Sequence, residues 1–534
     1  MRPRTAIVSA ALALLPAACT SRPTPAPPGE PPTLVVHVVV DQLRADMLDR
    51  YRDVFSQGLE RLLEDGLVVR GASHRHSETT TAVGHATLVT GVVPARHGVV
   101  GNTWWERRPD GTLVSTYAVA DSTSPLLGFP DAPGRSPSNL LRDGLPDWIL
   151  AHDSDARVVS LSTKDRAAIT MAGRAPGHVY WIENNRFVTS EHYRRAYPEW
   201  VESFNSVRMP DLLGDSVWLQ EVPAGFRSLA RPDPATYEGD AVHTVFPHVE
   251  RQEAGEGDQG RFLWVREWTP WPDRAVLELA DRAVAELDLG QRGVVDYLAL
   301  SFSQTDYVGH QYGPFSQEQL DNLFRLDHVL GELIDMLDRR VGAGRWVLGL
   351  SSDHGVLTAP EWLEAQGERA RRLTRDELRE LRATAAEAAA GGGDVTAIQD
   401  RVVRAVEAFE FVDRVYRSSE LEERSESGDS IASLFLSARR EDRLTGSLAG
   451  YGLHIAYKPN VLPRPGTGTT HGSPWWYDRS VPFILYGAGV PRVTSDPGPV
   501  FTVDMAPTLA EIAQIPVPQD LDGRALAMGV ARHY

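Results

Sequence analysis

The chain has 534 residues, 42% of them hydrophobic and 24% charged, the make-up of a globular protein; collagen-like, coiled-coil and wholly disordered chains are excluded. At about 150 residues per domain it holds between three and four domain equivalents. Its formal net charge of −18 has the wrong sign for a generic nucleic-acid binder, so any anionic ligand needs a locally positive site.

In chain order, targeting features come first. Arg2 and Arg4 precede an apolar run from Ala6 to Leu15, then Ala17, Ala18 and Cys19. That run is too short to span a bilayer and reads as a signal peptide over residues 1–19. The residues before Cys19 are similar to a bacterial lipoprotein box, although Pro16 is uncommon there. They predict lipidation at Cys19, membrane anchoring through it, and an exported protein that is periplasmic or tethered to the outer membrane. Cys19 is the single cysteine, so no internal disulfide forms. Residues 20–32 hold six prolines among small polar residues and read as a tether. No later segment reaches the roughly 18 apolar residues of a membrane-spanning helix.

The folded body is expected over 33–534 and begins with Leu34–Val40, an apolar, β-branched run typical of a strand buried on both faces of a parallel sheet. It ends on Asp41. The pattern recurs at Val158–Leu161 before Lys164, at Tyr297–Phe302 before Asp306, and at Trp346–Leu350 before Asp353. In open α/β sheets ligands bind at the C-terminal edge of the strands, and each of these strands delivers a polar group there. A fifth strand, Val481–Tyr486, follows His471. Two stretches of different composition read as inserted cap segments. One, about 185–275, is rich in Trp, Pro and charge. The other, about 360–450, carries helical periodicity over Arg371–Ala390 and again over Val395–Phe409, broken by three glycines at 391–393.

Several residues at these strand ends carry metal chemistry. Asp306 and His310 are spaced four apart and can face one cation from a single helical turn. Asp353 and His354 precede a glycine at a strand end; with Asp41 and His471 they complete a set of carboxylates and imidazoles that suits zinc better than calcium. The segment from Ser77 to Thr81 leads into a helix from Ala82 that ends at Gly91. A threonine there is either an N-cap or a hydroxyl that loses its proton beside a metal while the helix amides meet a phosphate.

In the order Asp41, Thr81, Asp306, His310, Asp353, His354, His471 the chain resembles the two-metal core of the alkaline phosphatase superfamily, in the branch with nucleotide pyrophosphatase/phosphodiesterases and phosphate-irrepressible alkaline phosphatases. The resemblance covers most of the body. It implies an α/β fold with a mostly parallel central sheet flanked by helices, and two Zn2+ ions. Asp306, His310 and His471 would hold one; Asp41, Asp353 and His354 would hold the other, with Thr81 beside it. Thr81 matches the family nucleophile, which stands four residues before the histidine matched by His85; Thr80 is its rival, and His85 itself reads as structural. Asn102 matches the asparagine that bonds a phosphoryl oxygen. Lys164 and Arg166 resemble the Lys-x-Arg pair of the monoesterases, which typical diesterases of the branch lack.

Two divalent metals, Lys164 and Arg166 against three aspartates leave the pocket near +3, a surplus that favours the dianion of a phosphate monoester. The expected activity is therefore monoester hydrolysis through a covalent phosphothreonine, by a monomer serving phosphate scavenging. The alternative is a phosphodiesterase or nucleotide pyrophosphatase on the same core, with Trp104, Trp105 or Trp475 gripping a base. A sulfatase is disfavoured, since no Cys-x-Pro-x-Arg or Ser-x-Pro-x-Arg segment is present. A non-catalytic surface protein whose metals only hold the fold leaves the hydroxyl, the asparagine and the two cations without a purpose.

Overall fold

A computed structural model describes residues 30–108, 110–212, 217–239, 243–249, 268–491 and 498–527. The expected signal segment, Cys19, most of the tether and part of the first insertion lie outside them. The apolar runs become the middle of an eight-stranded sheet. In chain order its strands are β1 (Leu34–Val40), β2 (Leu67–Val69), β3 (Val158–Ser162), β4 (His178–Glu183), β5 (Arg186–Val188), β6 (Asp296–Phe302), β7 (Trp346–Ser351) and β8 (Phe483–Gly487). Their spatial order is β2-β8-β7-β1-β6-β3-β4-β5. The central strands β7, β1, β6, β3 and β4 are mutually parallel, and β8 and β5 run antiparallel to their neighbours. This is the expected α/β class, with short antiparallel strands closing both edges.

Register decides where the polar groups emerge. Val40 pairs with Phe302, Val39 with Ser351 and Ser301 with Ser162, so the central strands end level with one another. Asp41, Asp353, Lys164 and Asp306 therefore leave the sheet at one edge. Because β8 is antiparallel and begins opposite the end of β7, with Phe483 against Ser351, the loop carrying His471 enters at that same edge.

Alternate residues of each strand pack on opposite layers. Val36, Val38, Leu298 and Leu300 meet Leu320, Leu323 and Leu330 on one face; Val35, Val39, Tyr297 and Ala299 meet Leu88, Met505 and Leu509 on the other. The flanking helices that shape the site are α1 (Thr81–Thr90), α2 (Asp165–Met171), α3 (Gln304–Tyr312) and α4 (Gln317–Leu337). Helix α1 is buried along its whole length and stops at Gly91, whose φ of 68° supplies the left-handed C-terminal turn.

The second insertion has a core of its own, including Leu373, Leu381, Val402, Val406 and Leu453. Its helices are α5 (Arg375–Ala390) and α6 (Val395–Glu407). Helix α5 starts four residues later than the periodicity predicts because Thr374 and Glu377 form a reciprocal capping box. Arg371–Arg372 form a short strand instead, parallel to Val461–Leu462, and Val412–Arg417 pairs with Leu453–Tyr457. The module thus closes beyond residue 450, at Leu462. In the first insertion β5 completes the sheet, and Trp218 is buried against Phe246 and Tyr312, donating its indole N–H to Asp321. Among the described residues no helix is long and apolar enough to cross a membrane.

Candidate active site

Two donor sets form at the sheet edge. In the first, on α3 and the loop before β8, His310 Nε2 lies 3.2 Å from Asp306 Oδ1, and His471 Nε2 lies 3.5 Å from the same oxygen. The two imidazole Nε2 atoms face each other at 3.2 Å. In the second, His354 Nε2 lies 3.5 Å from Asp41 Oδ1 and 3.4 Å from Asp353 Oδ2. Asp306 also stands close enough to Asp41 and His354 to share a cation with them, so it borders both sets. The His354 and His471 rings stack at 3.5 Å between centroids, holding the sets side by side.

The donor chemistry fits divalent metal. His310, His354 and His471 each turn Nδ1 to a backbone carbonyl, of Thr469, Gly355 and Thr79 respectively. A carbonyl only accepts, so Nδ1 carries the proton and each Nε2 presents a lone pair. Facing lone pairs 3.2 Å apart repel unless a cation lies between them. In the second set Asp41 Oδ1 and His354 Nε2 are buried and have no hydrogen-bond partner among the described residues, and buried Asp353 Oδ2 faces the His85 imidazole at 3.2 Å. Orphaned buried acceptors that converge are costly unless a cation satisfies them.

Charge states agree with this chemistry. Burial pushes the imidazoles of His310, His354 and His471 below their ordinary value, toward the neutral form that ligates a metal. Burial, reinforced by Asp353, pushes Asp41 well above the usual carboxylate range. Burial acts the same way on Asp306 and Asp353, but His310 and Lys164 around the first, and His354 and His85 around the second, overcome it and hold both low. Lys164 is buried between the sets: its ammonium lies 2.6 Å from Asp41 Oδ2 and also bonds Asp306 Oδ2. Burial works against its charge, and Asp306 and Asp41 more than restore it.

Thr81 opens α1, which packs against α2 and so brings Thr81 to Arg166. Arg166 Nη2 stands 3.5 Å from Thr81 Oγ1. Asn102 accepts the Ala82 amide through its side-chain carbonyl at 2.8 Å, so the group it can offer a ligand is its NH2. Thr80 is the N-cap residue and makes no side-chain cap; its hydroxyl is buried without a partner among the described residues. Close packing fixes α1 against the second set. A methyl group at Gly84 would fall 2.0 Å from the Asp353 carbonyl oxygen, so only glycine lets the helix approach so near.

Two residues matter beyond those expected. Gln42, at a left-handed φ of 69°, donates its amide N–H to Asp353 Oδ1 and its side-chain NH2 to Asp306 Oδ1, linking the sets. The only sequence signal for it is its place after Asp41. His85 does more than pack. Its Nδ1 lies 2.8 Å from the Thr81 carbonyl and 3.2 Å from Asp353 Oδ2, and Nε2 meets Ser301 Oγ at 2.9 Å. Of the three tryptophans considered as base-gripping residues, Trp104 is buried under the Arg443 guanidinium and is unavailable to a ligand. Trp105 is exposed, and Trp475 lines a cavity beside His471.

Comparison with known proteins agrees with this geometry. The family model described as type I phosphodiesterase / nucleotide pyrophosphatase matches residues 35–446. Alkaline phosphatase PafA of Elizabethkingia meningoseptica is 28% identical over 94% of this chain and 95% of its own. Its crystal structure superposes with a TM-score of 0.85 at 27% identity, covering 94% of this chain and all of that one. Alkaline phosphatase PhoV of Synechococcus elongatus is 34% identical over 62% of this chain and 60% of its own. A solved PafA variant, TM-score 0.83 at 27% identity over 93% of this chain and 98% of that one, has a threonine, an asparagine, a lysine and an arginine replaced. The intervals between those four positions equal those between Thr81, Asn102, Lys164 and Arg166. The chain therefore belongs to the type I phosphodiesterase / nucleotide pyrophosphatase family and, within it, to the metal-dependent phosphate hydrolases of the alkaline phosphatase type.

Proposed function

We propose that this protein hydrolyses phosphate monoesters of broad structure through a covalent phosphothreonine at Thr81, with two Zn2+ ions, one at Asp306, His310 and His471 and one at Asp41, Asp353 and His354. The observation that carries the reading is the Thr81 hydroxyl at a helix start, 3.5 Å from Arg166, on a helix that packs through Gly84 on Asp353, whose neighbours Asp41 Oδ1 and His354 Nε2 are buried acceptors with no partner among the described residues. Divalent cations bound there supply Lewis-acid charge that lowers the pKa of a hydroxyl or water and stabilises a departing oxygen. Thr81 Oγ gives its proton to water and attacks phosphorus, the bond from phosphorus to the substrate's alcohol oxygen breaks, and that oxygen takes the proton back from water. A second water then cleaves the phosphothreonine, returning the Thr81 hydroxyl and inorganic phosphate. Asn102, Lys164 and Arg166 hold the phosphoryl oxygens, and the guanidinium can fork onto two of them.

Monoesters are favoured over diesters because the extra negative charge is met by Lys164 and Arg166; a unit charge at 4 Å is worth about 4 kcal/mol at an effective dielectric of 20, before desolvation. We further propose export, tethering to a membrane through lipidated Cys19, and action as a monomer on small phosphate esters outside the inner membrane. These rest on the N-terminal sequence and on the resemblance. The test is turnover of a chromogenic phosphate monoester and of the matching diester. Thr81→Ala abolishes monoester turnover while two zinc ions per chain remain, and Lys164→Ala with Arg166→Ala lowers the monoester rate far more than the diester rate. Retained activity in Thr81→Ala redirects the nucleophile to Thr80; equal losses on both esters support the phosphodiesterase alternative.

A further inference from the structure

A cavity of about 350 Å³ lies between the helical insertion and the catalytic core. Its apolar wall includes Leu357, Leu381, Phe435, Tyr457, Leu462 and Trp475, drawn from three separate hydrophobic clusters that meet there without filling the space. The space opens to solvent at the module junction, and its volume falls in the range of small-molecule sites. The aromatic wall is fixed: Trp475 donates its indole N–H to the Tyr457 carbonyl at 3.0 Å, and Phe435 packs on His454 at 5.2 Å between ring centroids.

The cavity reaches the candidate site at His471 and comes within one residue of Thr81. His471, which belongs to the first donor set, forms part of its wall, and so does Thr80, the residue before Thr81. The Thr80 hydroxyl is buried and has no partner among the described residues, so the polar contacts on this side of the cavity come from other groups. Glu78, held at a left-handed φ of 57°, adds a carboxyl to the same wall, and the exposed Arg382 borders it. With Thr81 attacking from the side of Asp41, Asp353 and His354, in-line displacement would put the departing oxygen on the side of Asp306, His310 and His471, with its carbon substituent toward His471.

We propose that this cavity binds the leaving alcohol of the substrate, and that it takes apolar and aromatic alcohols. The inference rests on the phosphomonoesterase reading and adds a preference to it: phosphate esters of aryl or bulky apolar alcohols gain binding that methyl phosphate does not, and the residues that set the preference lie on α5 and the strand Leu453–Tyr457.

The experiment compares kcat/KM for 1-naphthyl phosphate and methyl phosphate in the full-length protein and in Leu378→Trp, a change at a half-buried position of the cavity wall. The expected result is a loss of about tenfold or more on the naphthyl ester, as displacing roughly 60 Å² of buried apolar contact gives, with methyl phosphate kept within about twofold. Equal losses on both substrates, or no loss on either, overturn the proposal. Inhibition by 1-naphthol needs no variant: competition against methyl phosphate in the unaltered protein supports the assignment, and its absence at millimolar concentration overturns it. An unaltered protein that hydrolyses neither ester refutes the monoesterase reading itself, an outcome distinct from failure of the cavity assignment.

Discussion

Gly84→Ala tests the packing that puts Thr81, the proposed nucleophile, beside the second donor set. The added methyl carbon would meet the Asp353 carbonyl oxygen at 2.0 Å and its Cα at 2.5 Å, both backbone atoms that cannot swing aside. A carbon approaches a carbonyl oxygen to roughly 3.3 Å, so α1 and the Asp353 segment must separate by roughly 1.3 Å. Overpacking of this kind costs about 1–3 kcal/mol of stability, which a large, otherwise intact core absorbs. Catalysis does not absorb it, because Thr81 is on the moving helix and Asp353 is on the segment it leaves. A displacement of about 1 Å in a reacting group lowers rates by roughly 100-fold. Monoester turnover is measured beside thermal unfolding and zinc content, with Gly225→Ala as control, since nothing lies within 4 Å of a methyl group there. A folded Gly84→Ala protein with a rate within threefold of the original would refute the claim that this contact sets the geometry.

Other perturbations have defined outcomes. His85→Ala removes the imidazole 3.2 Å from Asp353 Oδ2 and should weaken zinc affinity or activity by about 10- to 100-fold, read by competition with a zinc-binding dye; unchanged affinity and rate would show that His85 only packs. Glu78 is pushed up to about 7 by burial, which the Thr445 hydroxyl partly opposes. Between pH 4.5 and 7 the folded chain therefore binds more protons than the unfolded chain, and stability from this group is lost as pH rises through 7. Glu78→Gln should match the original protein near pH 4 and exceed it above pH 7 by up to about 3 kcal/mol in denaturant titrations. Chelation with EDTA should abolish turnover and added Zn2+ should restore it; activity that survives complete removal of metal would refute the two-metal reading.

Part of the candidate site was readable in the sequence because several of its residues follow an apolar strand. Asp41, Asp306 and Asp353 follow central strands whose burial on both faces leaves an unmistakable β-branched run, and parallel register then brings their ends level. His471 was readable only as a histidine before a strand; that the strand is antiparallel, and so starts at the catalytic edge, is a fact of pairing that composition does not carry. The edge strands Leu67–Val69 and Arg186–Val188 escape notice because three residues give no period. Gln42 and His85 act through contacts with residues more than 200 positions away, such as Asp306 and Asp353. No local pattern encodes those. Lys164 shows the same limit: its place in the pair with Arg166 is a motif, whereas its bonds to Asp41 and Asp306 arise only once the sheet is assembled.

The helical insertion is clasped at its base, where Arg371–Arg372 lie alongside Val461–Leu462. Chain entering and chain leaving the module are thus neighbours, and its interior is built from its own residues. The module is nonetheless bonded to the core, since the Leu434 carbonyl accepts from the Ser77 amide and Arg443 donates to the Gly98 and Asn139 carbonyls, so a change in it reaches both the wall beside His471 and the segment leading to Thr81.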